Sequence, residues 1–185
     1  MAREKDAIGL LRGDHQSLRA MFEEYDGLGP RARKAKENVR DRIVESLSVH
    51  AAIEERVFYP VVIKAVPDLE ESILEGMQEH ALAEQVLAQV AGMDVEDRWF
   101  RPKMMVLGDL VRHHMREEER EVFPALRDAM SKADLQALGD TLRDERRDAP
   151  TVPPPSAQAR AVFENVTDRA QAFLHTLTAP LRSAS

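Results

Sequence analysis

The chain contains no cysteine, which removes disulfides, thiolate metal sites and cysteine nucleophiles from consideration. Glycine is sparse, with 8 in 185 residues, and aromatic residues make up only 5%. Ala, Leu, Glu and Arg dominate instead, a mixture that favours helix over sheet. No apolar run is long enough to span a bilayer, and the stretch MAREKDAIGL lacks the apolar core of a signal peptide. The net charge of −7 gives no general attraction to nucleic acid or anionic lipid, so neither nucleic acid nor membrane is expected as a partner. There is no Gly-rich phosphate loop, nucleophile elbow or basic aromatic stripe. A cytoplasmic location is the default expectation, since absent cysteine is merely compatible with a reducing compartment.

The 43% hydrophobic content suits one domain with one core, and breakers divide the chain into helical blocks. A first helix is expected from about Asp6 to Asp26, stopping at GLGP (Gly27 to Pro30). A second runs from about Arg33 to Ala65 and must bend or loosen around Pro60, because proline removes a helix hydrogen bond. A third spans about Pro67 to Gly92. A fourth covers about Arg101 to Met130, with Pro124 as the equivalent disturbance. Ser131 with Asp134 reads as a helix start, so a fifth helix follows from about Lys132 to Arg147. The expected organisation is a bundle over residues 1–130, an additional helix over 131–148 and a Pro-rich linker over 149–156. A C-terminal amphipathic helix with a fraying tail would fill 157–185.

One phrase is written twice. HAAIEERVFYP runs from His50 to Pro60, and sixty-four residues later HMREEEREVFP runs from His114 to Pro124. Each second histidine stands about one helix length after a first, His15 and His80, and each first histidine follows an acid, Asp14 or Glu79. Two helical hairpins related by a pseudo-twofold would form a four-helix bundle with matching sites facing each other. The apolar stripes support this: Ile8, Leu11, His15, Leu18, Phe22, Tyr25; then Ile43, Leu47, His50, Glu54, Val57, Val61. The third reads Ile73, Met77, His80, Glu84, Leu87, Ala91, and the fourth Leu107, Val111, His114, Glu118, Val122, Ala125. Such stripes normally point into a bundle, and here each carries a mid-stripe histidine.

Three buried carboxylates would cost several kcal/mol each without compensation, and one or two dications would provide it. The i,i+4 spacing brings His and Glu to one side of a helix, where both can reach a common ion. Imidazole and carboxylate without sulfur suit iron or manganese, with zinc and copper as alternatives. Weighed singly, one core histidine is more often just hydrogen-bonded, and one His/Glu pair more often lies on the surface; four histidines with three glutamates in register point to metal. Glu55 and Glu119 sit just off the stripe, as solvated or supporting groups. Arg56 and Arg120 read as partners of nearby acids, His113 as exposed and His175 as structural. Met104 and Met105 read as packing, and Phe58, Phe123, Pro60 and Pro124 as closing the bundle end. Tyr59 reads first as core packing, reaching a metal only if the helix deforms beside Pro60.

With the order H…HxxxE…HxxxE…HxxxE over about residues 6 to 130, the sequence resembles the hemerythrin-like family, the HHE cation-binding domain. The resemblance implies an all-α, up-down-up-down four-helix bundle holding a non-haem diiron centre, here with an added C-terminal helical extension. It implies His15 and His50 as terminal ligands of one iron, His80, Glu84 and His114 as terminal ligands of the other, and Glu54 and Glu118 as bridges. Glu84 stands where the oxygen carriers have histidine. Glu118 follows its histidine by four residues, where they have an aspartate five on. Reversible oxygen carriage is therefore not the expected role.

If two irons offer roughly twelve coordination positions, these ligands plus an oxo or hydroxo bridge leave about one open, on the His15/His50 iron. The cofactor expectation is thus two Fe ions, with Mn or Zn substitution allowed by the ligand set. The expected function is binding of and reaction with a small oxidant (H2O2, O2 or NO), with catalase-like or peroxidase-like decomposition of peroxide leading. The alternative is an iron- or oxygen-responsive sensor module without turnover, acting through the C-terminal segment. A purely structural role, with zinc or no metal, is the third reading.

Overall fold

Asp6 begins the first helix by accepting a 2.8 Å hydrogen bond from the Gly9 amide, and the chain then runs through helices joined by short turns. The structure, a computed structural model, describes residues 6–153 and 167–177. Helix α1 is Ala7–Asp26, α2 Arg33–Ile53, α3 Tyr59–Ala65 and α4 Glu70–Ala91, the last entered through a 3₁₀ turn at Pro67–Leu69. Helices α5 (Phe100–Glu117), α6 (Phe123–Ala129), α7 (Lys132–Asp148) and α8 (Asp168–Thr176) complete the set. There is no strand among the described residues, and no helix there is long and apolar enough to cross a membrane. Ser131 caps α7 by accepting from the Asp134 amide at 3.1 Å. The linker beyond residue 153, the expected helix before Thr167 and the PLRSAS tail lie outside the described residues.

Helix α1 packs on α2, α2 on α4, α4 on α5, and α5 back on α1. This closed ring, with its short connections, is the expected four-helix bundle. Two apolar clusters fill it. One gathers Ile8, Leu11, Ile53, Phe58, Ile73, Met77 and Phe123 with Leu138 of α7 and Phe173 of α8. The other gathers Leu18, Phe22, Ile43, Leu47, Leu87, Leu107 and Met115. On each helix a histidine falls between the two clusters, so the polar residues form one layer with hydrocarbon above and below it. Helices α7 and α8 thus share the bundle's own core, α7 lying on α1 and α2 and α8 on α7 and α3.

Both repeated phrases break α-helical geometry at the same place. Glu54–Phe58 and Glu118–Val122 are π-helical, with the Tyr59 amide bonding the Glu54 carbonyl and the Phe123 amide bonding the Glu118 carbonyl, each five residues back. Pro60 and Pro124 explain the position, since each lacks an N–H and its ring would clash with the carbonyl four residues earlier. The wider turn relieves that clash one residue before the proline, so the disturbance is a π-bulge rather than a break. Pro60 is buried as the end-closing reading requires, but Pro124 is exposed. Met104 packs, whereas Met105 is 52% exposed because it faces away from the bundle. His175 also points outward.

Candidate metal centre

Six of the seven expected ligands meet in the polar layer. His15, His50, Glu54 and Glu118 form one group whose ligand atoms all lie within 4.8 Å of one another, and Glu54, His80 and His114 form a second. All six residues are nearly or fully buried. Glu54 belongs to both groups, and its Oε2 lies 3.2 Å from His50 Nε2 and 3.5 Å from His80 Nε2. Glu118 Oε2 lies 3.3 Å from His15 Nε2 and 3.7 Å from His114 Nε2. Each carboxylate therefore stands between a histidine of one hairpin and a histidine of the other. Glu84, one turn past His80, is half-buried and in neither group. Burial first, then the nearby charge of Glu55, pushes its carboxyl up to about 7.

The layer is poorly compensated by protein groups. His15 Nε2, both nitrogens of His50, both oxygens of Glu54 and Glu118 Oε2 are buried without a hydrogen-bond partner, a cost of about 1–3 kcal/mol for each such group. Burial holds the His50 imidazole down to about 4, against weaker upward pulls that begin with Asp14; at neutral pH it is a neutral ligand. Burial, then the charge of Glu118, pushes Glu54 well above the usual carboxylate range. Burial also raises Glu118, but the nearby imidazoles, His114 first and then His15, outweigh it and hold Glu118 down. His80 Nε2 and His114 Nε2 stand 2.9 Å apart, a repulsive approach of lone pairs unless a proton or a cation intervenes. Four imidazoles and two carboxyl groups, with orphaned buried polar atoms among them, all aimed inward, fit bound cations.

Tyr59 is buried in the core, as expected, and the helix deforms beside Pro60. Its hydroxyl donates to Glu118 Oε1 at 3.1 Å and lies 3.1 Å from His114 Nε2 and 3.3 Å from His80 Nε2. In an unbroken α-helix a residue five positions after Glu54 would turn roughly 140° away from it. The i→i+5 bond of the bulge brings it back towards the side of the helix that carries Glu54. At the matching place in the second phrase, Phe123 stacks on the His15 ring, with centroids 5.4 Å apart. Gly76 was not singled out from sequence. A Cβ there would stand 3.2 Å from His114 Cε1, so glycine lets α4 approach that imidazole.

A cavity of about 230 Å³ reaches Tyr59, His114 and Glu118 from a mouth that includes Glu75, Glu117 and Glu121. This cavity opens on the His114 side, whereas ligand counting expected an open position beside His15 and His50. There Phe123 covers the His15 ring. Exposed His113 pairs with Glu79 at 3.3 Å and Glu117 at 3.7 Å. Arg56 and Arg120 pair with Glu145 and Glu117, as expected of them.

A profile of the hemerythrin HHE cation-binding domain matches residues 6–126. The chain belongs to this family. An uncharacterized hemerythrin-like protein of Schizosaccharomyces pombe is 25% identical over 171 residues, covering 90% of this chain and 80% of that protein. A protein of Nostoc sp. named a DNA nickase is 28% identical over 122 residues, 66% of this chain but 34% of its own length. The crystal structure of an HHE cation-binding domain-containing protein from Mycobacterium kansasii superposes with a TM-score of 0.67 over 78% of this chain and 87% of that one, at 18% identity. It shares the fold. The buried His/Glu layer of this hemerythrin-like chain is its candidate cation site.

Proposed function

We propose that this hemerythrin-like chain holds two iron ions and reacts there with a small oxidant, hydrogen peroxide before O2 or NO. The observation that carries this reading is the pair of three- and four-residue ligand groups sharing Glu54, with a cavity reaching one of them. His15, His50 and Glu118 would hold one ion, His80 and His114 the other, and Glu54 and Glu118 would span both. Glu84 is kept as a seventh ligand candidate, reached by a change of its side chain. Adjacent irons supply two one-electron partners to a bound two-electron oxidant. The protein's share is to admit, orient and enclose. The carboxylate-rich mouth favours neutral peroxide or NO over anions, and the Tyr59 hydroxyl offers a hydrogen bond at the cavity floor. Hydrocarbon on both sides of the layer keeps bulk water from the ligands.

The test is metal content per chain on fresh protein, with visible spectra and oxygen evolution after peroxide addition. Two irons per chain and many turnovers per pair support the proposal. Two irons with spectral change but no turnover favour the second reading, an iron- or oxygen-responsive module. One observation supports that module: Arg146 of α7, beyond the family match, grips Asp14 beside His50. One zinc, or no metal in folded protein that cannot be reconstituted, would overturn both.

A further inference from the structure

Every inward histidine has a second ring nitrogen, and each of the four faces a carboxylate. His15 Nδ1 lies 2.8 Å from Glu119 Oε1, His80 Nδ1 3.0 Å from Glu55 Oε1, and His114 Nδ1 2.9 Å from Glu79 Oε2. His50 Nδ1 lies 3.6 Å from Asp14 Oδ2, longer than a hydrogen bond but with no closer partner. The acids follow the helices around the bundle: Asp14 on α1 faces α2, Glu55 after α2 faces α4, Glu79 on α4 faces α5, and Glu119 after α5 faces α1. The ring closes on itself.

Elementary helix geometry produces it. Each acid is the chain neighbour of an inward ligand: Asp14 precedes His15, Glu79 precedes His80, Glu55 follows Glu54 and Glu119 follows Glu118. Neighbours on a helix point about 100° apart, so an acid beside an inward residue is aimed sideways at the adjoining helix. Adjacent helices run antiparallel. A residue before the ligand on one and after it on the next therefore lies on the same rotational side, and all four acids point the same way round. Two are anchored from behind, Glu119 by Arg19 at 3.0 Å and Asp14 by Arg146.

We propose that Asp14, Glu55, Glu79 and Glu119 are positioning residues, a closed ring of carboxylates in which each helix holds the Nδ1–H of the next helix's histidine. An Nδ1–H given to a carboxylate leaves Nε2 as an inward lone pair and strengthens it as a donor. The ring thereby sets tautomer and ring orientation at all four imidazoles, two acids serving each ion. This rests on the two-ion reading above.

The experiment uses the full chain and anaerobic Fe(II) titration against a competing chelator. Variants are the pair Asp14→Asn/Glu119→Gln, the pair Glu55→Gln/Glu79→Gln, and all four together. Each pair should weaken one of two ions by about 10- to 100-fold, and the quadruple both, with chelator-treated melting temperatures unchanged. Two ions bound as tightly in every variant as in wild type would overturn the ring while leaving the diiron reading standing. Equal weakening of both ions by either pair, with matching loss of melting temperature, would also overturn it, as general destabilisation. If wild type binds no Fe(II), the diiron reading fails by itself. Histidine ring ¹⁵N shifts of metal-free protein then decide: Nδ1–H at all four imidazoles upholds the ring, and Nε2–H at two or more refutes it.

Discussion

Tyr59 and Phe123 occupy the same place in the two repeated phrases, nine residues after His50 and His114, and differ by one hydroxyl. The hydroxyl of Tyr59 sits among His80, His114 and Glu118, while the bare ring of Phe123 lies flat on His15. The duplication is symmetric in its ligands and asymmetric here, and the polar version is the one the cavity reaches.

Tyr59→Phe should therefore keep metal stoichiometry and fold but slow peroxide turnover by about tenfold, the equivalent of one hydrogen bond of roughly 1.4 kcal/mol. Iron content and initial rate measured on the same preparation check this. An unchanged rate would reduce Tyr59 to packing.

Glu54 is the candidate ligand common to both groups, so Glu54→Gln should lower occupancy to one ion or none. Glu54→Leu should empty the site likewise and raise the melting temperature of chelator-treated protein, because it removes a buried carboxyl with no hydrogen-bond partner and adds no polar group. Opposite effects on the loaded and stripped forms are the signature to seek.

Glu84 gives a pH dependence. Its carboxyl is raised to about 7 by burial, then by Glu55, so the folded chain holds a proton that the unfolded chain releases near its ordinary 4.5. Stability of metal-free protein should consequently fall as pH rises from about 4.5 through about 7. Glu84→Gln should flatten that slope, making the variant more stable than wild type at pH 8 but not at pH 4. Urea midpoints at both values measure it. If Glu84 is also a ligand, the variant loses affinity for Fe(II) in parallel.

Gly76→Ala would press a methyl against the His114 ring at 3.2 Å. The imidazole must give by a few tenths of an ångström, and the change should weaken Fe(II) binding and slow ligand access through the cavity that Gly76 lines. Competition titration and stopped-flow peroxide mixing report the two effects separately.

The six buried candidate ligands were legible because a helix stripe is a local property: a 3.6-residue period puts His50 and Glu54, or His114 and Glu118, on one face whatever surrounds them. The bundle followed from four such stripes with breakers between, and the helix limits from Asp6, Ser131, Gly27 and the prolines. Pro60 and Pro124 announced a disturbance, but not that it would be a π-bulge that turns Tyr59 inward. Asp14 and Glu79 were visible as acids before histidines, and Glu55 and Glu119 as acids beside the stripe. Their partners were not, since His15 and Glu119 are 104 residues apart and meet only through the lateral register of α5 against α1. The side on which the cavity opens likewise depends on Gly76, Phe123 and the packing between helices. The sequence alone determined which residues face inward, because periodicity is carried by the backbone; tertiary structure decided which of them touch, because contact between helices depends on rotation and register that no single helix contains.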